Sequence, residues 1–224
     1  MLLGVDPSYT RTGLCLLDEV SGAVVSNTSI SIPDIFRGGS VYSYRVSFPV
    51  SLLHAHQCFS WVEDMGYRDD ITAICIEMPA YSTMVGVHLL PLQCLFYAYT
   101  RMQSFCSSAP MFLIPPSAIN SLVLPKRTKK AKDMMSAESE AVFSDVVIPE
   151  GGFSTPQKKK LIVSWVSRVY GVDMNHDEAS SVVLAHIGRL ILAGQYRGSY
   201  ERLDDSAFWR RVLSGGSLDF SSRE

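Results

Sequence analysis

Leu2 to Val5 make a short apolar run that stops on Asp6. A Pro7-Ser8 corner follows, and a second apolar run occupies Gly13 to Leu17. An apolar run, a tight corner and a return run predict two antiparallel strands, the first with an acid on its last residue. Strands are expected at 1–6, 12–18 and 23–32, the last with partial alternation. Val46, Val50, Leu53, His54 and Trp61 fall near helical spacing and predict a helix across 43–65, with Pro49 near its start and Gly66 closing it. Ile71 to Ile76 reads as a buried strand that ends at Glu77, and Pro79 stops it. The apolar stretch 85–105 is too long for a strand and predicts a buried helix kinked at Pro91. Met111 to Ile114 is a further strand. Behind Pro115-Pro116, Ser117 is the expected N-cap of a brief helix over 118–123. The segment 125–152 turns from basic to polar and ends in Pro149-Glu150-Gly151-Gly152, so it reads as a mobile or partly helical insertion. Thr155-Pro156 opens a helix to about 169 that Gly171 ends, and a last core helix runs from near Asp177 to Leu192.

This order predicts an α/β fold: a mixed five-stranded sheet, three antiparallel N-terminal strands plus two parallel ones, flanked by helices. One domain is expected over 1–194, with the insertion at 125–152. A tail over 195–224 carries a short amphipathic helix around Phe208, Trp209 and Val212.

Composition narrows the class. The chain has 224 residues, 47% hydrophobic and 19% charged, enough to bury a core without covalent staples. No apolar run is long enough to span a bilayer, and the N-terminus lacks a signal-peptide pattern, so a cytoplasmic protein with no membrane partner is expected. The five cysteines (Cys15, Cys58, Cys75, Cys94 and Cys106) stand in apolar surroundings at no metal-ligand spacing, which suits a reducing compartment. The net charge of −2 does not point to nucleic acid. Charge placement does better, because basic residues cluster in the second half. Lys126, Arg127, Lys129, Lys130 and Lys132 form one run, and Lys158, Lys159 and Lys160 another. The clusters are either solvated surface or a phosphate-facing one.

Asp6 and Glu77 each end an apolar strand and precede a Pro-containing turn. Strand ends of such a sheet converge, so two carboxylates distant in sequence can meet at one edge. Asp177, at the start of the last helix, is a third acid. Three carboxylates so placed make a hard-oxygen cage suited to Mg²⁺ or Mn²⁺. Two such ions about 4 Å apart activate water and stabilise the leaving oxygen of a phosphodiester. Each acid also has a bland reading: Asp6 as a turn cap, Glu77 as a satisfied edge carboxylate, Asp177 as an N-cap.

The stretch GVDPSYTRTGL resembles the opening of the RuvC-type Holliday junction resolvases, and AICIEMPAY resembles their second acidic strand. STPQKKKLIVSWVSRVYG followed by NHDEASSVVLAHIG resembles their closing pair of helices. The resemblance covers roughly 1–19, 70–123 and 154–192. It implies a ribonuclease H-like fold, a homodimer, and paired metal-dependent nicking of four-way DNA junctions by a crossover junction endodeoxyribonuclease of the two-metal type, in a divergent phage or viral member acting in the host cytoplasm. Asp6, Glu77 and Asp177 then hold the metal. Lys158, with Lys159 and Lys160 as near-equals, stands where relatives place a lysine near the scissile phosphate. Tyr81 stands where relatives carry an aromatic residue at the junction centre, and Lys126, Arg127, Lys129, Lys130, Lys159 and Lys160 are the expected DNA contacts. Core packing is the plainer account of Tyr81, and of His54, His56, His88 and His186. The 85–105 helix is either core or dimer interface.

One departure stands out. The family usually closes with Asp-x-x-Asp or His-x-x-Asp before the apolar helix, and this chain has Asp177 followed by Ser180. Asp173, His176 or Glu178 then substitutes, or one metal binds tightly, or the protein binds junctions without cutting them. An inactive junction-binding scaffold is therefore the alternative. An actin-like or sugar-kinase-like ATPase ranks last, because no second nucleotide motif accompanies the first.

Overall fold

The computed structural model describes residues 1–8, 11–31, 48–78, 109–125 and 137–203. Strands β1 (Leu2–Asp6), β2 (Arg11–Leu17), β3 (Val24–Ser31), β4 (Ala73–Glu77), β5 (Met111–Ile114) and β6 (Glu201–Leu203) form one sheet in the order β3-β2-β1-β4-β5-β6. Strands β1 to β3 are antiparallel, β1, β4 and β5 run parallel, and β6 returns antiparallel beside β5. The helices are α1 (Phe48–Asp64), α2 (Pro116–Val123), α3 (Ala137–Val142), α4 (Thr155–Tyr170) and α5 (His176–Leu192). The expected mixed α/β sheet flanked by helices is present, with one strand more than the five expected. The extra strand is Glu201–Leu203, in the stretch assigned to the tail. Three residues, two of them charged, carry no period to read. They become a strand because the edge of β5 offers unpaired backbone groups, and Tyr200 packs edge-on against Phe112 with ring centroids 5.6 Å apart.

Strand alternation assigns the two faces. Leu2, Cys15, Leu17, Ala73, Cys75, Phe112 and Ile114 face α2, α4 and α5, and Leu3, Val5, Leu14, Leu16, Ile74, Ile76 and Met111 face α1. On the first face α5 lies directly on the sheet, and its Ala179 to Gly188 are all buried. The approach is close because β1 and β2 present glycines there. A Cβ at Gly4 would overlap the Ser181 carbonyl, and one at Gly13 would overlap the Asp177 carbonyl.

Two helix starts differ from expectation. Pro115, not Ser117, is the N-cap of α2, since Pro116 at the first helical position has φ already set and no N–H to satisfy. Asn175, not Asp177, caps α5: its side chain accepts from the Asp177 and Glu178 N–H groups, and Glu178 completes a capping box. The expected helix over 85–105, its kink at Pro91, and the amphipathic piece around Phe208 lie outside the described residues. Among the described residues no helix is long and apolar enough to cross a membrane. Cys15, Cys58 and Cys75 are free buried thiols.

Candidate active site

The register of β1 against β4 pairs Leu2 with Ala73 and Val5 with Ile76, so the next step sets Asp6 beside Glu77 at the carboxyl ends of two neighbouring parallel strands. Alternation turns both carboxylates to the α5 face. Asp6 is 9% exposed. Its carboxyl is held well above the usual carboxylate range, first by burial, then by the charge of Glu77 and a hydrogen bond to Glu77, then by the charge of Asp177. Glu77 is also raised by burial, while that hydrogen bond from Asp6 and the charge of Lys159 pull it back.

The third group arrives with the N-terminus of α5. Asn175 and Glu178 tie that end to β3: Asn175 Nδ2 donates to Ser29 Oγ at 2.9 Å, and Ser29 Oγ donates to Glu178 Oε1 at 3.1 Å. Gly13 admits the Asp177 backbone onto β2. Held in this way, Asp177 and its neighbour His176 reach Asp6: one ligand atom from each of Asp6, His176 and Asp177 lies within 4.8 Å of the other two. His176 Nδ1 stands 3.6 Å from Asp177 Oδ1, is buried, and makes no hydrogen bond. Ser180, one turn on, is buried, with Oγ 3.5 Å from His176 Nε2.

These groups line a cleft of about 420 Å³ together with Pro7, Ser8, Pro116, Ile119, Asn120, Thr155, Lys158, Lys159 and Ile162. Helix α4 supplies the lysines. Its capping box, Ser154 with Gln157, fixes the first turn, which places Lys158 and Lys159 in the cleft wall opposite the acids. Asp6, Glu77, Asp177, Lys158 and Lys159 are therefore brought together from four elements. Lys160 is not in this cleft. It lines an adjoining groove with Lys159, Ser164, Ser167, Arg168, Asp173 and His176. Asp173 accepts from Ser167 Oγ at 3.1 Å and stands outside the cluster around Asp6. Glu178 is engaged by its cap and by Ser29. Tyr81, Lys126, Arg127, Lys129 and Lys130 lie outside the described residues.

Behind the acids, His54 of α1 is buried, and its Nε2 lies 2.8 Å from Thr12 Oγ1. Thr12 Oγ1 in turn takes the Ser8 N–H at 3.4 Å, so the turn after Asp6 rests on a buried imidazole. The sequence carries no sign of this link, since 42 positions separate His54 from Thr12 and no periodicity joins them. Asn120 on the far wall of the cleft likewise gave no sequence signal.

The residues present fit a hard divalent cation. Asp6, Asp177 and His176 gather within 4.8 Å. Glu77 stands in the same cleft, hydrogen-bonded to Asp6 but outside that group of three. Burial pushes Asp6 and Glu77 towards protonation, and the buried His176 Nδ1 makes no hydrogen bond. A cation answers both deficits.

Two solved structures share this fold. The T. thermophilus RuvC in complex with a Holliday junction substrate matches with a TM-score of 0.50 at 9% identity, covering 90% of this chain and 98% of that one. A Thermus thermophilus RuvC structure matches with a TM-score of 0.51 at 10% identity, covering 90% of this chain and 99% of that one. No family model matches the chain, and no curated protein matches it in sequence. The chain has the RuvC-type fold.

Proposed function

We propose that this protein is a metal-dependent, structure-selective DNA endonuclease that resolves four-way junctions or other branched DNA by paired nicks. The observation that carries the reading is the convergence of Asp6, Asp177 and His176 within 4.8 Å, with Glu77 hydrogen-bonded to Asp6 and two lysines in the same cleft wall. The shared fold with a protein solved on a Holliday junction supports it.

Asp6, Glu77 and Asp177 would hold Mg²⁺ or Mn²⁺. When bound, hard divalent ions supply an activated water and stabilise the leaving oxygen of a phosphodiester. Lys158 and Lys159 place ammonium groups across the cleft from the acids, where charge develops on a phosphate under attack. The His54–Thr12–Ser8 contacts keep the turn after Asp6 in register with Glu77. Phosphate contacts would supply most of the affinity, with Lys160 and the basic run Lys126, Arg127, Lys129 and Lys130 extending the surface and Tyr81 stacking at the junction centre. Paired nicks on opposed strands require two such sites related by a two-fold axis, hence a homodimer. Three buried free thiols accord with a reducing, cytoplasmic setting, in a host cell if the gene belongs to a phage.

The test is a synthetic four-way junction labelled on each arm, incubated with the purified protein and Mg²⁺ or Mn²⁺. Symmetric nicks are expected, abolished in Asp6→Asn with junction binding retained. Binding without nicking in either metal transfers the protein to the scaffold reading, which Ser180 in the cleft favours. Absence of binding removes both.

A further inference from the structure

We propose that the groove adjoining the acid cleft is a phosphate ladder, in which Lys160, Ser164 and Arg168 of α4 each take one of three successive phosphates of the DNA strand leaving the cleft. This rests on the protein binding branched DNA, as proposed above.

The groove encloses about 450 Å³ and opens off the cleft. Lys159 and His176 line both, so cleft and groove form one continuous channel. A strand with one phosphate among the acids therefore passes into the groove on its way out. One wall of the groove is α4. Lys160, Ser164 and Arg168 stand four residues apart on it, along a single ridge of the helix. Four residues of helix rise about 6 Å, close to the step from one phosphate to the next along an extended strand. The ridge thus carries donors at nucleotide spacing. Its two ends are cationic, and Ser164 between them offers a hydroxyl, a donor that phosphate oxygens accept.

The far rung is held in place. Arg168 Nη1 donates to the carbonyl of Val142, the last residue of α3, at 2.6 Å. Phe143, the next residue, is buried in the same core as Trp165 and Val166 of α4. The second half of the insertion therefore packs on α4 and pins the guanidinium, while the side chain stays exposed at the groove. One of its five N–H donors is engaged with Val142, and the rest of the fork remains to meet a phosphate. An arginine already fixed in this way loses little freedom when a strand binds.

Asp173 limits the track. Its carboxylate accepts from Ser167 Oγ at 3.1 Å, on the ridge beside the ladder. An anion there repels phosphate, which keeps the strand on the Lys160–Arg168 ridge.

A phosphate scan tests the ladder through affinity alone. A synthetic four-way junction is made with each phosphate of one strand through the crossover replaced in turn by a neutral methylphosphonate. Binding to the full chain is measured in chelator, and thermal melts confirm that the variants fold. Wild type should bind about fivefold more weakly when a ladder phosphate is neutralised. Lys160→Gln should abolish the loss at one phosphate, and Arg168→Gln at another, two phosphates further along. Ser164→Ala should abolish it at the phosphate between them. Arg168→Lys keeps the charge and should keep the loss at its own position. Variants that abolish the loss at the same phosphate, or that leave the whole scan unchanged, overturn the ladder and leave junction binding standing. Absence of junction binding by wild type overturns both. The expected offset in a protein that nicks no junction keeps the ladder and removes the nuclease reading.

Discussion

Asp6 and Glu77 are hydrogen-bonded neighbours at the carboxyl ends of β1 and β4, and burial raises both carboxyls above their ordinary range. Removing one acid should therefore stabilise the metal-free protein. Asp6→Asn keeps the shape, and its amide can donate to Glu77 without a titrating proton. We expect a gain of about 1–2 kcal/mol, which is a rise of roughly 2–8 °C in Tm for a chain of this size. Saturating Mn²⁺ should stabilise wild type and leave Asp6→Asn nearly unmoved. A lower Tm for Asp6→Asn in chelator would mean the acids are already satisfied without a cation.

Gly13 should matter more than its size suggests. An alanine there would drive its methyl into the Asp177 carbonyl, a backbone group that cannot move without shifting the start of α5. The expected cost is about 1–3 kcal/mol, with loss of metal affinity as Asp177 and His176 are displaced. Gly188→Ala is the comparison. Gly188 is on the same helix, and its added methyl would overlap only the Cys75 side chain of β4. Both variants should melt lower, and only Gly13→Ala should bind metal more weakly. Equal metal affinity in the two would detach Gly13 from the site.

Much of this arrangement was legible in the sequence because it follows strand parity. Once Leu2 to Asp6 and Ala73 to Glu77 are strands, both acids fall on the last residue, and a parallel pairing puts them side by side. The lysines of α4 were legible through Thr155-Pro156, a helix start with its own punctuation. What escaped is what depends on contact between distant segments. The cap of α5 is Asn175, not Asp177, because Asn175 also meets Ser29 of β3, a partner no local pattern names. His176 was one of three interchangeable substitutes in the sequence, and only the engagement of Asp173 and Glu178 elsewhere sets it apart. The strand β6 is recruited by a neighbour's open edge and has no periodicity of its own.

His54 makes stability depend on pH. Burial pushes its imidazole down from 6.5 to about 4. The unfolded chain therefore binds more protons than the folded one between those values, so stability falls as pH drops through that window. The slope is at most about 1.4 kcal/mol per pH unit from this group. Buried Asp6 and Glu77 act oppositely, since their raised carboxyls favour the folded state at low pH and cease to as pH rises. Urea midpoints at pH 4.5, 5.5 and 7, compared between wild type and His54→Gln, isolate the histidine. The variant should lose the acid-side decline, and an unchanged slope would show that His54 is protonated in the folded protein.

Lys159 and Lys160 are neighbours in sequence with different reach. Lys159 lines both the acid cleft and the adjoining groove, and its charge acts on Glu77, whereas Lys160 lines the groove alone. If the cleft holds the phosphate under attack, neutralising Lys159 removes stabilisation of charge that develops during cleavage, and neutralising Lys160 removes only a contact to the bound strand. Lys159→Gln should lower the single-turnover nicking rate on a saturating four-way junction by about 10²-fold, in the range of one lost electrostatic donor. Lys160→Gln should leave that rate within a few-fold of wild type while weakening junction binding and reducing the salt slope of log K by about 1. The two readouts separate the roles: rate at saturation for Lys159, salt-dependent affinity for Lys160. Identical losses in both variants, confined to affinity, would place both lysines along the strand and leave the acids without a cationic partner in the reaction.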